Sequence, residues 1–214
     1  MELKGKKINF LGDSITEGHG TSDWATRPYH QLLKESVGLA EARNYGSGGT
    51  KIARLPVVTD HQFDQDFNLR APSMDKDADA VVVFGGTNDY GHGTIPLGTI
   101  EDRDVHSFFG GLHTLCQYLI KEYVGKTIVF MTPIHRLQEA KLESEISNPL
   151  QSFVEAIRQV CEYYSIPVLD LYKESGMHGN MWAWCEKYMP DGLHPNDEGH
   201  KIIAHKLQKF LENL

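Results

Sequence analysis

Two short motifs near the ends of this sequence contain the side chains that nucleophilic acyl transfer requires. The motif GDSIT, at residues 12–16, follows the first apolar run, and the motif DGLHP, at residues 191–195, precedes the last helical pattern. A serine hydroxyl is a poor nucleophile at neutral pH, so it needs a base within hydrogen-bonding distance and a carboxylate that orients the base. We therefore predict that Ser14, His194 and Asp191 act together as nucleophile, base and orienting acid.

Two further motifs offer hydrogen-bond donors for the oxyanion of an acyl-transfer intermediate. Gly46 ends the segment 44–46 (NYG), and Asn88 lies in the segment 85–89 (GGTND). A glycine lets a substrate carbonyl approach the backbone amide closely, and an asparagine NH2 group donates without adding charge. We predict an oxyanion hole formed by the backbone amides of Ser14 and Gly46 and by the side-chain amide of Asn88.

Apolar runs alternate with helical patterns along the chain. Strands are predicted at residues 7–11, 42–45, 80–84, 127–131 and 166–171, and the run at 80–84 is apolar throughout, as in a strand buried on both faces. Apolar residues at helical spacing predict helices within residues 29–37, 108–123, 150–164 and 202–211. Asn148 is predicted to cap the third helix, with Pro149 at its first position, and Asn196 or Asp197 to cap the fourth.

This alternation predicts an α/β fold, a three-layer α/β/α flavodoxin-like sandwich with a five-stranded parallel sheet. Ligands of such sheets bind at the carboxyl ends of the strands. Ser14, Gly46 and Asn88 each follow a predicted strand. Residues distant in sequence therefore converge on one rim of the predicted sheet.

Composition and charge narrow the classes of protein and partner. The 214 residues fit a single domain over residues 1–214, and the net charge of −8 comes without any block of lysines or arginines. Such a surface argues against nucleic acid and anionic membranes as partners. The three cysteines are widely spaced, and the apolar run before residue 12 is too short for a signal peptide, so a cytoplasmic location is predicted.

Metal and cofactor motifs do not occur in the sequence. The eleven histidines include no His-Glu-x-x-His pattern, and the cysteines include no Cys-x-x-Cys pair. A phosphate-binding loop has a glycine directly before its lysine, but Thr50 precedes Lys51 here. The glycines at 46 and 48 do not complete a dinucleotide-binding fingerprint, which requires a third glycine at position 51. We expect no metal and no cofactor.

Residues just after Asn88 are the predicted substrate contacts. Tyr90 and His92 follow it closely, and the glycine-rich segment 91–105 continues along the expected rim, where it is predicted to shape specificity. His19 and His106 lie in other loops and are interpreted as solvated side chains.

Each motif alone is also typical of an ordinary turn or helix cap, but the four together resemble the SGNH hydrolases, the GDSL family of esterases and lipases. Gly12-Asp13-Ser14 matches the first block of that family, Gly46 the second, Asn88-Asp89 the third, and Asp191 with His194 the fifth. Ile15 replaces the leucine that gives the family its name. The resemblance covers residues 8 to about 200.

The resemblance implies a flavodoxin-like fold and ester hydrolysis through an acyl-enzyme on Ser14. His194 is implied as base, Asp191 as its orienting acid, and Ser14, Gly46 and Asn88 as oxyanion donors. Short-chain esters, such as O-acetyl groups on a carbohydrate or a small metabolite, are the expected substrates because the sequence contains no long hydrophobic lid segment. An acyltransferase with the same triad, and a non-catalytic binding module on the same fold, remain as alternatives.

Overall fold

The computed structural model describes residues 1–92, 94–137, 139 and 148–214. Within these residues, five strands form one all-parallel sheet with the order β2-β1-β3-β4-β5. The strands are β1 (Lys7–Gly12), β2 (Glu41–Gly46), β3 (Ala80–Phe84), β4 (Thr127–Met131) and β5 (Val168–Leu169). This order reverses direction beside β1, as in flavodoxin-like doubly wound folds, so the predicted fold class is confirmed.

Helices cover both faces of the sheet. They are α1 (Ser14–Glu17), α2 (Tyr29–Val37), α3 (Phe67–Arg70), α4 (Thr87–Gly91), α5 (Phe108–Glu122), α6 (Leu150–Tyr163), α7 (Leu171–Glu174), α8 (Trp182–Tyr188) and α9 (Asp197–Glu212). Short 3₁₀ turns occur at Gln62–Asp64 and Ala71–Ser73. Among the described helices, none has both the length and the apolarity needed to cross a membrane.

Two apolar cores lie on opposite faces of the sheet. Val81 and Val83 of β3 pack into the core beneath α5 and α6, whereas Ala80 and Val82 pack into the core beneath α2 and α9. All residues of β3 are buried. The continuous apolar run at 80–84 therefore reflects a central strand with a helical layer on each side.

The last strand is shorter than its apolar pattern predicts. Residues 166–171 were expected to be extended, but β5 comprises Val168–Leu169 alone. Asp170 instead caps α7, and its side chain accepts a hydrogen bond from the Lys173 amide. Because an aspartate cap starts a helix at the next residue, Leu171 belongs to that helix although it is apolar.

The predicted helix starts are correct to within one residue at α6 and fully at α9. Pro149 occupies the cap position of α6, so the helix begins at Leu150, one residue later than the expected start. Asn196 caps α9 by accepting from the amides of Glu198 and Gly199. Asn148 has no capping role in this arrangement.

Two histidines are fully buried where α2 and α9 meet. His30 Nε2 donates to the Thr16 carbonyl at 3.0 Å, and His200 Nδ1 accepts from the Tyr29 amide at 3.0 Å. Burial lowers the pKa of His30 to about 4 and that of His200 to about 3. Both are therefore neutral in the folded protein at pH 5, where an unfolded histidine is protonated.

Acid is expected to destabilise the protein through His30. The unfolded chain binds this proton below about pH 6.5 and the folded chain only near pH 4, so stability falls between these values by about 1.4 kcal/mol per pH unit. In the His30→Gln variant, whose amide can still donate to Thr16, this loss is absent. The free energy of unfolding can be measured with urea at pH 7.5 and at pH 5. The difference between the variant and wild type should shift in favour of the variant by about 2 kcal/mol from the higher to the lower pH.

Two buried carboxyl groups change the stability with pH in the direction opposite to His30. The effect of His30 is therefore measured as the difference between His30→Gln and wild type, in which the carboxyl contributions are the same. Burial raises the pKa of Asp13 to about 6 and that of Asp89 to about 7, and protonation of these groups favours the folded state as pH falls. His205→Gln, on the exposed side of α9, serves as the matched control. An identical pH dependence for His30→Gln and wild type would contradict the prediction.

Candidate active site

Ser14 is the first residue of α1 and lies immediately beyond the end of β1. The turn is close-packed, since a Cβ at Gly12 would lie 2.0 Å from Thr16 Oγ1. Asp13 caps α1 by accepting from the Ile15 amide at 3.0 Å. Among the described residues, none accepts a hydrogen bond from the Ser14 amide. Ser14 therefore combines a hydroxyl group with a backbone donor that is available to an anion.

His194 lies in the loop before α9 and contacts both of its predicted partners. Its Nε2 is 2.9 Å from Ser14 Oγ, and its Nδ1 is 2.6 Å from Asp191 Oδ2. Gly192, between the acid and the histidine, has a φ of +76°, a conformation that glycine adopts without strain. The structure thus joins a serine and a histidine 180 residues apart in sequence into one chain of hydrogen bonds.

Asp191 remains ionised and so favours one tautomer of His194. Partial burial raises the pKa of Asp191, but hydrogen bonds from the His194 side chain, from its backbone amide and from Leu193 outweigh burial and lower it to about 2. A carboxylate at Nδ1 requires the proton to be on that nitrogen. Nε2 is then free to accept the proton of the Ser14 hydroxyl.

Asn88 lies at the start of α4, just beyond the carboxyl end of β3. Gly86 precedes this helix with a φ of +105°, which permits the sharp turn from strand to helix. Asn88 Nδ2 donates one hydrogen to the Thr50 carbonyl at 3.0 Å. Since an amide group carries two such hydrogens, the second is available to a substrate oxyanion.

Gly46 does not occupy the position predicted for it. Its amide donates to Asn44 Oδ1 at 2.8 Å, and a Cβ at Gly46 would lie 2.2 Å from the Glu17 backbone nitrogen. It is also absent from the residues that line the cavity beside Ser14. Gly46 therefore provides a close contact between β2 and α1, and the predicted oxyanion donor at this position is corrected.

Two later glycines line the cavity instead. Gly48 and Gly49 both contact it, and the Gly48 amide donates to Glu17 Oε2 at 2.7 Å. Among the described residues, none accepts from the Gly49 amide. Gly49 has a φ of +74°, which favours glycine. The available backbone donor of this segment is therefore Gly49, three residues beyond the glycine that the sequence indicated.

Asp89 fixes the chain that follows these glycines. Its carboxylate accepts from the backbone amides of Ile52 and Ala53 at about 3 Å. Burial raises the pKa of Asp89 to about 7 despite these hydrogen bonds. Asp89 and its neighbour Asn88 therefore hold residues 50–53 against the start of α4.

Arg70 joins the same loop to two strands. Its guanidinium donates to the carbonyl groups of Gly12 and Tyr45, at the ends of β1 and β2, and to Thr50 Oγ1. Burial lowers the pKa of Arg70 to about 10, so the group remains a cation at neutral pH. This cation satisfies backbone carbonyls at the point where three segments of the site meet.

A cavity of about 240 Å³ lies beside Ser14 and His194. His92, the predicted substrate contact, lines it, and so does His19, whose ring lies 4.5 Å from the Trp24 ring. The sequence did not single out the other lining residues, which are Gly48, Gly49, Gln62, Phe63 and Leu193. The positions of Gly48, Gly49, Gln62 and Phe63 depend on the path of the loop after β2, which no local pattern specifies, whereas Leu193 lies between Asp191 and His194.

Tyr90 is not a substrate contact in this structure. It is fully buried, and its hydroxyl donates to the Glu139 carbonyl at 2.8 Å. Of the described residues of the segment 91–105, His92 lines the cavity. Pro96 and Leu97 instead accept from amides at the start of α5. His106 donates to the Arg54 carbonyl, outside the cavity.

Comparison with protein families assigns the chain. The model of the GDSL-like lipase/acylhydrolase family matches residues 10–202, a span that contains Ser14, Asn88, Asp191 and His194. The chain belongs to this family. Membership implies a hydrolase, and the resemblance inferred from the four motifs is confirmed. No curated protein matches the chain.

Solved structures similar to this GDSL-like protein cover almost its whole length. A protein from Lactobacillus plantarum is 31% identical with a TM-score of 0.85, over 99% of this chain and 98% of that one. The lipase/acylhydrolase from Enterococcus faecalis is 20% identical (TM-score 0.66, over 97% and 96%). An acetyl xylan esterase is 21% identical (TM-score 0.62, over 95% and 98%). The last two similarities establish the shared fold alone.

Loss of the Asn88 side chain is expected to slow the GDSL-like enzyme without preventing substrate binding. The Asn88→Ala variant lacks one of the three donors expected for the oxyanion, and removal of one oxyanion donor lowers kcat by about 10²-fold. Steady-state kinetics on a short-chain ester measures this loss. Asn213→Ala, near the end of the chain, is the matched control, and an Asn88→Ala variant with wild-type kcat would exclude this residue as a donor.

Proposed function

We propose that this protein is a serine esterase that cleaves short-chain carboxylic esters through an acyl-enzyme on Ser14. The observation that carries the proposal is the unbroken chain of hydrogen bonds from Asp191 through His194 to Ser14, beside a small cavity with donors for an oxyanion. A carboxylate, an imidazole and a hydroxyl in this order form the arrangement that activates serine for acyl transfer.

The geometry supports a two-step reaction. Ser14 Oγ attacks the ester carbonyl carbon as its proton moves to His194 Nε2, 2.9 Å away. The tetrahedral oxyanion accepts hydrogen bonds from the amides of Ser14 and Gly49 and from Asn88 Nδ2. Collapse breaks the bond to the alcohol, which leaves with the proton from His194. Water then attacks the acyl-enzyme with His194 as base, and the acid is released.

The size of the cavity favours a short acyl group. Its volume of about 240 Å³ is below the roughly 300–1,000 Å³ of sites for drug-sized ligands. Polar side chains of His19, Gln62 and His92 contribute to its lining, and Phe63, at the same cavity, is 49% exposed. We infer that an acetyl or butyryl ester of a carbohydrate or a small polar alcohol is the substrate. The acetyl xylan esterase of similar fold is in keeping with this inference.

Hydrolysis of a series of p-nitrophenyl esters, from acetate to palmitate, tests the proposal. We expect kcat/KM to be highest for acetate or butyrate and to fall steeply for longer chains. Acetylated oligosaccharides would then be assayed for acetate release. Equal activity on palmitate would contradict the short-chain assignment. An added alcohol that captures the acyl group in preference to water would assign an acyltransferase instead.

Absence of both ester hydrolysis and reaction with a fluorophosphonate serine probe would contradict the esterase assignment. The probe reacts with an activated serine whatever the natural substrate is. A selective esterase would be labelled at Ser14 without hydrolysing the synthetic esters. A non-catalytic binding module would give neither signal.

A further inference from the structure

Residues 46–49 (GSGG) form a segment that we call the glycine loop. One carboxylate determines which backbone amide of this loop remains available to a substrate. Gly48 and Gly49 both line the cavity, but Glu17 Oε2 accepts the Gly48 amide at 2.7 Å. We propose that Glu17 is a positioning residue, which holds the Gly48 amide so that the Gly49 amide is directed to the substrate oxyanion. This proposal rests on the proposed esterase function.

The backbone of Glu17 is fixed against the same loop. Glu17 ends α1, the helix that begins with Ser14. A Cβ at Gly46 would lie 2.2 Å from the Glu17 nitrogen, so the two backbones are in direct contact. Asn44 bridges them, because its Nδ2 donates to the Glu17 carbonyl at 3.2 Å and its Oδ1 accepts from the Gly46 amide. Glu17 thereby connects the helix that carries Ser14 to the glycine loop.

The carboxylate of Glu17 is itself held in place. Its Oε2 lies 3.3 Å from His19 Nε2, and its side chain is 24% exposed. The His19 ring lies 4.5 Å from the Trp24 ring and 5.4 Å from the His194 ring. A Cβ at Gly48 would approach the same oxygen to 2.9 Å. The oxygen that accepts the Gly48 amide therefore has little freedom to move away from it.

The contact matters because an oxyanion hole depends on preorganised donors. A donor that points at the developing charge before the reaction adds no cost of reorganisation during it. Without the Glu17 side chain the Gly48 amide loses the acceptor that fixes it. We expect the flexible glycine peptides then to rotate, so that the Gly49 amide is no longer held toward the cavity. This loss affects the transition state more than substrate binding, so it lowers kcat and leaves KM nearly constant.

Two variants of Glu17 test the proposal. Glu17→Ala removes the acceptor and is expected to lower kcat on a short-chain ester by about 10- to 100-fold, with KM changed by less than about threefold. Glu17→Gln keeps an oxygen that can accept the Gly48 amide and should retain kcat within about threefold of wild type. Glu35→Ala, at an exposed position of α2, removes the same charge and is the matched control.

Amide hydrogen exchange of Gly48 measures the contact independently of catalysis. In wild type and Glu17→Gln the hydrogen bond protects this amide, whereas in Glu17→Ala it should exchange at least about 10-fold faster. Thermal unfolding of each variant identifies a general loss of structure. A KM increase without a kcat loss, or a kcat in Glu17→Gln as low as in Glu17→Ala, would overturn the positioning role.

The failure of this inference is distinguishable from the failure of the proposed function. A wild-type enzyme that hydrolyses esters together with a Glu17→Ala variant of equal kcat would refute the role of Glu17 and leave the esterase assignment intact. A wild-type protein that neither hydrolyses esters nor reacts with a fluorophosphonate would refute the esterase. In that case unchanged Gly48 exchange in Glu17→Ala would also refute the contact itself.

Discussion

The Ser14→Ala variant is expected to have no measurable ester turnover, with kcat lower by on the order of 10⁴-fold or more. In the proposed mechanism this side chain supplies the atom that bonds to the acyl group, and no such intermediate can form on alanine. Ser14 is 5% exposed, and alanine fits in its place without a new contact. Thermal unfolding should therefore show a folded protein, and the fluorophosphonate probe should fail to label it.

The control for this variant is Ser36→Ala, which removes a hydroxyl from an exposed position of α2. It should retain wild-type turnover and probe labelling. Turnover of Ser14→Ala at the wild-type rate would refute an acyl-enzyme on this residue. Labelling that persists in Ser14→Ala would show that the probe reacts at another side chain.

Replacement of His194 by alanine is expected to lower kcat by about 10³- to 10⁵-fold. In the proposed mechanism the imidazole takes the proton from Ser14, 2.9 Å away, and later returns a proton to the leaving alcohol, so both halves of the reaction would lose their catalyst. The oxyanion donors remain, and they leave a small residual rate above that of water. Stopped assays at high enzyme concentration, with p-nitrophenyl acetate, would measure it.

His205→Ala is the matched control for His194→Ala, since His205 is exposed on α9, the helix that follows the His194 loop. Its kcat should equal that of wild type. A His194→Ala variant that keeps more than about a tenth of the wild-type kcat would exclude His194 as the general base. Loss of substrate binding with an unchanged kcat would likewise contradict the proposed role.

Most of the fold follows from local patterns, because each sheet strand is marked by apolar residues and each crossover by a helical period. β3 shows this most clearly, since a run that is apolar on both faces requires a helical layer on each side. The end of β5 could not be located in this way. Its neighbour Leu171 is apolar, yet the capping side chain of Asp170 turns the chain into a helix.

The oxyanion glycine shows where local reasoning stops. Three glycines lie within residues 46–49, and each satisfies the requirement for close approach of a carbonyl. Which amide is available depends on one local and one tertiary contact: Asn44, two residues earlier, accepts the amide of Gly46, and Glu17 accepts that of Gly48. The first contact follows a local pattern, because asparagine side chains commonly accept the backbone amide two residues later. The second leaves no signal in the sequence around the loop, because Glu17 lies 31 residues before Gly48.

Tyr90 and His92 could have been separated by helical geometry. Both follow Asn88, but a helix turns 100° per residue, so Tyr90 lies on the opposite side of α4 and His92 on the same side as Asn88. The His92 amide indeed donates to the Asn88 carbonyl, and His92 lines the cavity. The period of a short helix, once recognised, would have excluded Tyr90.

The separation of 180 residues between Ser14 and His194 also affects when activity appears during synthesis. The ribosome makes the segment that contains Ser14 180 residues before the segment that contains His194. At about 5–20 residues per second, the serine exists for about 10–40 s before the histidine is translated. Until His194 has been made, the nascent chain therefore carries Ser14 without the histidine that lies beside it in the folded protein. In the proposed mechanism, acyl transfer therefore requires that both segments have been made and have folded against each other.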